Sequence, residues 1–179
     1  MTGTLIVVDY DPDWPRLFDQ LVDELRPLLA DVEVRSFEHV GSTSVPGLAA
    51  KPIIDLDIVV PGDQVTAAIG ALEAGGYEYL GEMGVPQRHA FRRPTPPKVN
   101  TYVVVEGSLS VRNHLALRDV LRRDDALRDR YSAVKKALAD ETDDIDAYVD
   151  GKTDMVLEIL AAADFAADEL AEFERINRS

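Results

Sequence analysis

The sequence contains no cysteine among its 179 residues. This absence excludes a disulfide framework, a thiolate nucleophile and a zinc site built on cysteine. No apolar run approaches the roughly 18 to 20 residues that a membrane-spanning helix needs. The opening residues, MTGTLIVVDYD, lack a basic segment followed by an apolar core, so we expect no secretion signal. A cytoplasmic location without membrane contact is the resulting expectation.

Positive charge is also scarce, because 19 lysines and arginines face 33 aspartates and glutamates, for a net charge of −14. This balance argues against nonspecific binding to nucleic acid, which depends on a basic surface. A local basic pocket with a divalent cation can still hold a nucleotide, because both reverse the field within a site. Composition therefore favours a small-molecule substrate over a polynucleotide. The length and the hydrophobic content of 46% are those of one globular domain.

Residues 40–60, VGSTSVPGLAAKPIIDLDIVV, hold the most informative pattern of the chain. The pattern starts with Gly41 and Ser42, after a short run at 36–40 that can form a strand. Glycine lets backbone N–H groups approach a phosphate closely, and the Ser42 hydroxyl can join them. The pair therefore predicts a phosphate contact, with Thr43 next to it.

Two aspartates, Asp55 and Asp57, follow inside the apolar run IIDLDIVV. Alternate side chains of a strand share a face, so both carboxylates would project from the same side. Two carboxylates held side by side are costly unless something neutralises them. Mg²⁺ or Mn²⁺ would do so, since Mg²⁺ commonly takes one or two carboxylates together with substrate phosphates. A solvated strand edge or a turn is the alternative interpretation of the same motif.

The order Gly-Ser, twelve residues, then Asp-x-Asp between apolar residues resembles the signature of the nucleotidyltransferase superfamily that includes DNA polymerase beta. More narrowly, GSTSVPGLAAKPIIDLDI resembles the hallmark of the GrpB family, also called UPF0157. The opening YDPDWPRLF is similar to the start of that family, whose members are stand-alone bacterial proteins or parts of dephospho-CoA kinases. The resemblance covers residues 5–162. It implies an α+β fold, in which a nucleotidyltransferase-like mixed β-sheet packs with helices and precedes a C-terminal helical bundle.

We expect residues 1–110 to form the nucleotidyltransferase-like αβ core and residues 111–179 to form a helical region packed on it, within one compact domain. Residues 5–8 predict a short strand or a packed extended arm. Apolar residues at helical spacing predict a helix over 14–29, and Pro27 would break or kink its last turn.

Residues 81–99 are rich in proline and predict a loop that carries a basic cluster. In a protein this acidic the cluster needs a partner, which is either the protein's own acidic surface or a triphosphate. Arginine suits the second role because its planar fork binds two oxygens at once. Arg92 and Arg93 are the candidates here, and Lys51 is a further candidate for neutralising charge. The cluster consists of Arg88, His89, Arg92, Arg93 and Lys98.

Asn100 and Tyr102 lie on the next predicted strand, residues 100–106, and share one of its faces. Both can hydrogen-bond to a ligand. By the resemblance, GrpB relatives carry His-Leu-His at this point, and polymerase-beta-like enzymes place a third carboxylate on this strand. Neither residue is an ordinary Mg²⁺ ligand, so the third metal ligand is left open.

In the helical region, VRNHLALRDVLRR at 111–123 resembles an element of the GrpB family and contributes Arg118. Two Tyr-x-x-x-Lys pairs, which end in Lys135 and Lys152, match a pattern of the same family. The i, i+4 spacing places each pair on one helix face. From the residues alone, lysines on helices are usually solvated, whereas the resemblance implies ligand contacts for Arg118, Lys135 and Lys152.

Two histidines and the end of the chain have open interpretations. His39 occupies the family's usual histidine position before the Gly-Ser pair, and is either close to the phosphate loop or buried for structure. His114 is assigned to the surface or to packing. Residues 164–179 extend the last helix by pattern, and either dock on the domain, mediate a homodimer or fray.

The leading hypothesis is a Mg²⁺-dependent nucleotidyltransferase that transfers a nucleoside monophosphate from a nucleoside triphosphate to a small acceptor. Asp55, Asp57 and Ser42 would be its catalytic residues. One alternative is a nucleotide-binding or regulatory module without transfer activity, suggested by the missing third carboxylate. Another is a protein that binds CoA precursors, related to the kinase-fused members. The candidate binding residues are His39, Gly41, Ser42, Thr43, Lys51, Arg92, Arg93, Asn100, Tyr102, Arg118, Lys135 and Lys152.

Overall fold

The computed structural model describes residues 6–163 and 165–178. Within them a five-stranded sheet carries α1 and α2 on one face and α3 on the other, with three further helices packed behind α3. This arrangement confirms the predicted α+β class. The elements are α1 (Trp14–Leu28), β1 (Ser36–Val40), β2 (Ile54–Val60), α2 (Val65–Ala74), β3 (Glu78–Gly81), β4 (Arg88–Arg92), β5 (Val99–Val105), α3 (Leu109–Arg123), α4 (Asp125–Glu141), α5 (Ile145–Ala161) and α6 (Ala167–Asn177).

The sheet is mixed, with the strand order β1-β2-β5-β4-β3. β2 and β5 run parallel, and the other neighbours are antiparallel. Asp55 lies opposite Asn100, and Asp57 lies between Glu38 on β1 and Tyr102 on β5. Because paired residues project from the same face, the register collects these polar side chains on the face that carries α3.

The proline-rich segment is not the loop that its composition predicts, because β4 forms within it. β4 pairs with β3 on one side and with β5 on the other, so its backbone groups are satisfied by two neighbours. Ala90 and Phe91 are buried on opposite faces of the sheet. The arginines at both ends of β4 make its sequence polar, so composition alone does not indicate a strand. β5 begins one residue earlier than predicted, at Val99.

At the N-terminal side, α1 continues through Pro27 and ends one residue later, so the proline ends the helix without breaking its body. Leu29 closes the helix with a backbone hydrogen bond of 3.1 Å to Leu25 O. Of the predicted strand or arm at 5–8, Leu5 lies outside the described residues. Val8 forms an isolated antiparallel bridge with Ala50.

The main core lies between the sheet and the α1–α2 layer. Leu56, Ile58 and Val60 alternate along β2 and are completely buried there. Burying a side chain of this size stabilises a fold by about 1.5 to 3 kcal/mol. β2 is thus anchored by one set of residues while Asp55 and Asp57 point the other way. None of the helices in the described residues is long and apolar enough to cross a bilayer.

The end of the chain forms a separate helix and does not extend α5, because α5 ends at Ala161 and a break precedes α6. Asp164 and Ser179 lie outside the described residues. Phe165, Leu170 and Phe173 pack against the second core, which α3, α4 and α5 build with the loop after β1. Of the three sequence interpretations of this segment, α6 therefore corresponds to docking, and a homodimer stays a prediction.

Candidate functional site

The two aspartates of β2 lie beneath α3, where Asp57 is completely buried and Asp55 is half-buried, and each is held by one neighbour. Asn100 Nδ2 donates a 2.7 Å hydrogen bond to Asp55 Oδ1. His114 Nδ1 donates one of 2.7 Å to Asp57 Oδ2, whereas Asp57 Oδ1 is buried without a partner among the described residues. Burial raises the pKa of Asp55, although the Asn100 hydrogen bond and nearby cations oppose it. These carboxylates are thus poorly solvated and incompletely neutralised.

The Gly-Ser turn lies directly against this acidic pair. Gly41 has φ +67° and ψ −173°, a region that only glycine adopts readily. A Cβ at this position would lie 2.1 Å from Asp55 Oδ2, so glycine is also required for space. Residues 42–44 then form one 3₁₀ turn, in which Ser44 Oγ donates to Gly41 O at 2.6 Å. Ser42 is thereby held at the entrance of the same cavity as Asp55.

His39 and Thr43 lie behind this turn and away from the carboxylates. His39 pairs in register with Leu56 and therefore faces the α1 core, where its ring stacks on Phe18 at 4.8 Å. Its Nε2 lies 3.0 Å from Thr43 Oγ1. Burial, with Arg122 and Arg118 nearby, lowers the pKa of His39 to about 4, so the ring is neutral. This geometry corresponds to the structural interpretation of His39, which supports the turn from behind.

Three lysines surround the aromatic rings of the two Tyr-x-x-x-Lys pairs. Lys51 and Lys152 lie 5.1 and 5.2 Å from the centre of the Tyr148 ring. Lys135 lies 4.6 Å from the Tyr131 ring and donates to the carbonyl of Ala49. We call Lys51, Lys135 and Lys152 the lysine cluster. The charge of Asp55 acts on each of its members.

Burial dominates the electrostatics of the lysine cluster. It lowers the pKa of Lys135 to about 6 and that of Lys152 to about 8, and it also lowers the pKa of Lys51. Mutual repulsion among the three ammonium groups lowers the pKa of Lys135 and Lys152 further. An anion at this place would restore their charge, because an opposite charge favours the ionised form.

A first cavity, with a volume of about 200 Å³, is lined by residues of the Gly-Ser turn, by Asp55 and by Lys152 of the lysine cluster. It opens between the Gly-Ser turn, the acidic face of β2 and the helices α3 and α5. The polar residues on its walls include Ser42, Asp55, Tyr102, Asn113, His114, Tyr131, Lys152, Thr153 and Asn177, and Gly41 contributes its backbone. Of the sequence-predicted residues, the cavity therefore brings together Gly41, Ser42, Asp55, Tyr102 and Lys152.

Three arginines that the sequence predicts as ligand contacts form ion pairs with glutamates of the protein outside the first cavity. Arg92 is exposed and pairs with Glu78 at 2.6 Å, on the same sheet face as Asn100 but two strands away from β2. Arg93 is buried and bonds to Glu24 and to the carbonyls of its own loop. Both arrangements match the acidic-surface alternative. Arg118 lies nearer, bonded to Glu38 at 2.7 Å beside Asp57 on the sheet.

Sequence reasoning missed His114, which it assigned to the surface or to packing. The structure places its ring against Asp57, with Tyr102 at 6.2 Å between ring centres. Burial alone would lower the pKa of His114, but Asp57 outweighs it and raises this pKa. One signal was available, since His114 and Arg118 are spaced i, i+4 and share a face of α3.

The donor set fits a hard divalent cation only in part. No group of three or more His, Cys, Asp or Glu side chains forms a metal cage within 6–163 and 165–178. Asp55 and Asp57 nevertheless offer two carboxylates, and the unpartnered Asp57 Oδ1 is available to a cation. Mg²⁺ is commonly held in this way, with phosphates and water completing its shell.

The sequence profile described as GrpB protein matches residues 4–162. The chain belongs to the GrpB family. It is 37% identical over 164 residues to a UPF0157 protein of Halalkalibacterium halodurans, covering 90% of this chain and 83% of that one. It is 39% identical over 164 residues to a UPF0157 protein of Streptomyces coelicolor, covering 87% and 82%. α6 lies beyond the residues that the profile matches.

The crystal structure of conserved protein GrpB from Enterococcus faecalis has the same fold, with a TM-score of 0.77 and 32% identity over 94% of this chain and 99% of that one. The structure of Cid1 in complex with its short product ApU aligns with a TM-score of 0.51 at 18% identity, covering 72% of this chain and 42% of that chain. Cid1 is described as a poly(U) polymerase. The GrpB assignment and the nucleotidyltransferase-like fold are thus confirmed.

Proposed function

We propose that this protein is a Mg²⁺-dependent nucleotidyltransferase that acts on a nucleoside triphosphate and a small acceptor. The observation that carries this proposal is the first cavity, in which the Gly-Ser turn, the Asp55 carboxylate and Lys152 meet, with the buried Asp57 next to Asp55 on the same face of β2. The neighbouring Cid1 structure with MgGTP bound, which aligns with a TM-score of 0.50, supports a nucleotide ligand for the fold.

In the proposed reaction, the acceptor's nucleophile forms a bond to the α-phosphorus and the bond from that phosphorus to the bridging oxygen breaks. Pyrophosphate leaves, and the proton of the nucleophile passes to the Asp57 carboxylate. Ser42 and the backbone at Gly41 would contact the phosphates. The lysine cluster would offset the charge that develops on the leaving pyrophosphate.

A divalent ion, Mg²⁺ or Mn²⁺, would be held by Asp55 and Asp57 and would neutralise phosphate charge when bound. The protein prepares both carboxylates for this role. Asn100 orients Asp55, and His114 fixes Asp57 while leaving Asp57 Oδ1 without a partner in the described chain. Hydrogen bonds of this kind to metal-ligating groups typically change metal affinity 10- to 100-fold, as a rough guide.

The test compares Asp55→Asn and Asp57→Asn with Asp63→Asn, an exposed carboxylate before α2. We expect a nucleoside triphosphate with Mg²⁺ to raise Tm in the wild type and in Asp63→Asn. Both site variants should lose this shift and lower pyrophosphate release by about 100-fold or more. The proposal is wrong if both site variants keep wild-type metal-nucleotide binding and turnover.

A non-catalytic nucleotide-binding module is the second candidate, favoured by Asn100 and Tyr102 standing where the superfamily has a carboxylate. It predicts the same Mg²⁺-dependent binding without pyrophosphate release from any acceptor mixture. Pantetheine compounds in the same screen test the CoA-precursor hypothesis, which requires binding without nucleotide.

A further inference from the structure

A second cavity, of about 250 Å³, lies between β4, α3 and α6 and adjoins the first. The two cavities share Asn113, His114, Phe173 and Asn177 on their walls. Its volume is similar to that of the first cavity. One wall is apolar and is formed by Val85, Pro86, Leu109 and Phe173.

Three other residues that line this cavity each carry a buried polar atom without a partner among the described residues. The atoms are Arg88 Nε, Ser110 Oγ and Asn113 Oδ1. Ser110 and Asn113 are only 5% and 7% exposed. Leaving one such atom unpaired costs about 1 to 3 kcal/mol, and natural proteins contain few of them. Three on the wall of one cavity point to a ligand whose polar groups complete them.

Arg88 defines the charge of that ligand. Its guanidinium lies 4.7 Å from the Tyr102 ring centre and forms no ion pair with a carboxylate in the described parts of the chain. Glu172 also lines this cavity, but Arg175 neutralises it at 2.6 Å. An arginine stacked on an aromatic ring presents its remaining N–H groups to an anion, and a carboxylate fits that fork.

The position of Asn113 and His114 defines where the other end of the ligand lies. A molecule bound to Arg88 and Ser110 extends along these two residues toward Asp57, whose Oδ2 accepts from His114 at 2.7 Å. The first cavity, where the α-phosphorus would lie, begins there. A nucleophile at this end of the ligand is therefore adjacent to the proposed reaction.

We infer that the second cavity binds the acceptor, and that the acceptor is a small carboxylic acid with a hydroxyl or amine at its far end. The inference rests on the proposed function and names the substrate class of the same site. The hydroxyl or amine bonds to the α-phosphorus, pyrophosphate leaves, and the proton passes to Asp57. The carboxylate stays on Arg88 and takes no part in the bond changes.

The experiment measures binding by calorimetry to the full chain, with glycolate, lactate, serine and 4-hydroxybutyrate as probes and their amides as neutral controls. We expect at least one acid to bind. Its amide should bind at least about tenfold more weakly, because the amide lacks the negative charge that pairs with Arg88. Arg88→Gln should remove this preference. Hydroxyl and amine probes identify the nucleophile. No binding by any acid, or equal binding of acid and amide, overturns the inference.

Ser110→Ala and Asn113→Leu separate ligand binding from folding. Because these side chains leave polar atoms unpaired, we expect Tm without ligand to stay level or rise in Ser110→Ala. Acid binding should fall about tenfold in both variants, while in Ser110→Ala binding of the triphosphate with Mg²⁺ changes less than twofold, because Ser110 lines the second cavity and not the first. A parallel loss of triphosphate affinity in Ser110→Ala would assign the second cavity to the nucleotide and overturn the inference.

The two proposals fail in different ways. If Asp57→Asn loses triphosphate binding but Arg88→Gln leaves acid binding unchanged, the transferase proposal stands and the acceptor cavity does not. If acids bind through Arg88 and no triphosphate binds, the cavity stands as a carboxylate site and the transferase proposal falls.

Discussion

Residue 41 must be glycine for two reasons, its backbone conformation and its close approach to Asp55. Its φ of +67° belongs to a region that side chains rarely adopt, and its missing side chain leaves space for the Asp55 carboxylate. The turn can therefore place Ser42 beside the acid pair only if residue 41 is glycine. Conformational strain and steric conflict act together at this one position.

We expect Gly41→Ala to lower the free energy of unfolding by about 1 to 3 kcal/mol, because it forces alanine into that backbone region. It should also abolish Mg²⁺-dependent nucleotide binding, since the new methyl group would displace Asp55. Urea denaturation and the thermal-shift screen measure the two effects. Gly70→Ala is the control, because Gly70 lies inside α2 with open space around it and should gain about 0.5 to 1 kcal/mol. Equal behaviour of the two variants would contradict this account.

Lys135 couples the fold to pH. Its pKa is about 6 in the folded chain, against about 10.4 in an unfolded one. Between these values the unfolded chain holds a proton that the folded chain does not. The free energy of unfolding should therefore rise with pH across this window, by up to about 1.4 kcal/mol per pH unit. Below pH 6 both states hold the proton, so the slope vanishes and the cost of burying the charged lysine is complete.

Urea denaturation at pH 6.5, 7.5, 8.5 and 9.5 tests this contribution. Lys135→Met should remove the slope that Lys135 adds. Lys136→Met is the matched control, because Lys136 is exposed and pairs with Asp9 at 2.6 Å. If Lys135→Met and the wild type have parallel pH profiles, Lys135 is charged in the folded protein.

The helices α4 and α5 act together with the loop that follows the Gly-Ser turn. Each contributes one lysine, and the Tyr148 ring lies within about 5 Å of two of them. The ring face stabilises ammonium groups that burial would otherwise discharge. α4 and α5 therefore position the lysine cluster, and their tyrosine rings favour the charged form of the lysines, which is the form that binds an anion.

We expect Tyr148→Leu to weaken triphosphate binding about tenfold, because it removes a cation–π contact from Lys51 and from Lys152. Tyr148→Phe keeps the ring and should bind like the wild type. Calorimetry with triphosphate and Mg²⁺ measures both variants. An equal loss in Tyr148→Phe would assign the effect to the hydroxyl and contradict the role of the ring.

Sequence patterns predict those elements whose conformation depends on neighbouring residues in the chain. The alternation of β2 and the glycine of the turn are visible along the chain, and both were placed correctly. β4 was not, because its strand character comes from pairing with two neighbours and not from its own composition. His114 was missed for a similar reason, since only the packing of α3 over the sheet brings it to Asp57.

The chain as a whole carries far more negative than positive charge, with a net value of −14. Several arginines, including Arg35, Arg130 and Arg178, already pair with surface carboxylates. The remaining carboxylates repel one another across the surface. At low salt this repulsion extends over tens of ångströms, and added salt screens it.

We expect Tm to rise between 20 and 300 mM NaCl, since relief of about 1 kcal/mol corresponds to roughly 2 to 4 °C for a chain of this size. Differential scanning fluorimetry measures the shift. Choline chloride at the same ionic strength is the control and should act equally, because screening does not depend on the cation. A rise with NaCl alone would indicate a bound sodium ion, and a fall would contradict the repulsion.

The residues of β2 alternate between two environments, since Leu56 and Ile58 face the main core while Asp55 and Asp57 face α3. A substitution at one set lowers the amount of folded protein, whereas a substitution at the other changes only what the folded protein does. Under the proposed function, replacing these carboxylates would remove the chemistry and leave the shape. An active protein and an inactive relative would then differ in two carboxylates and in nothing that a fold comparison detects.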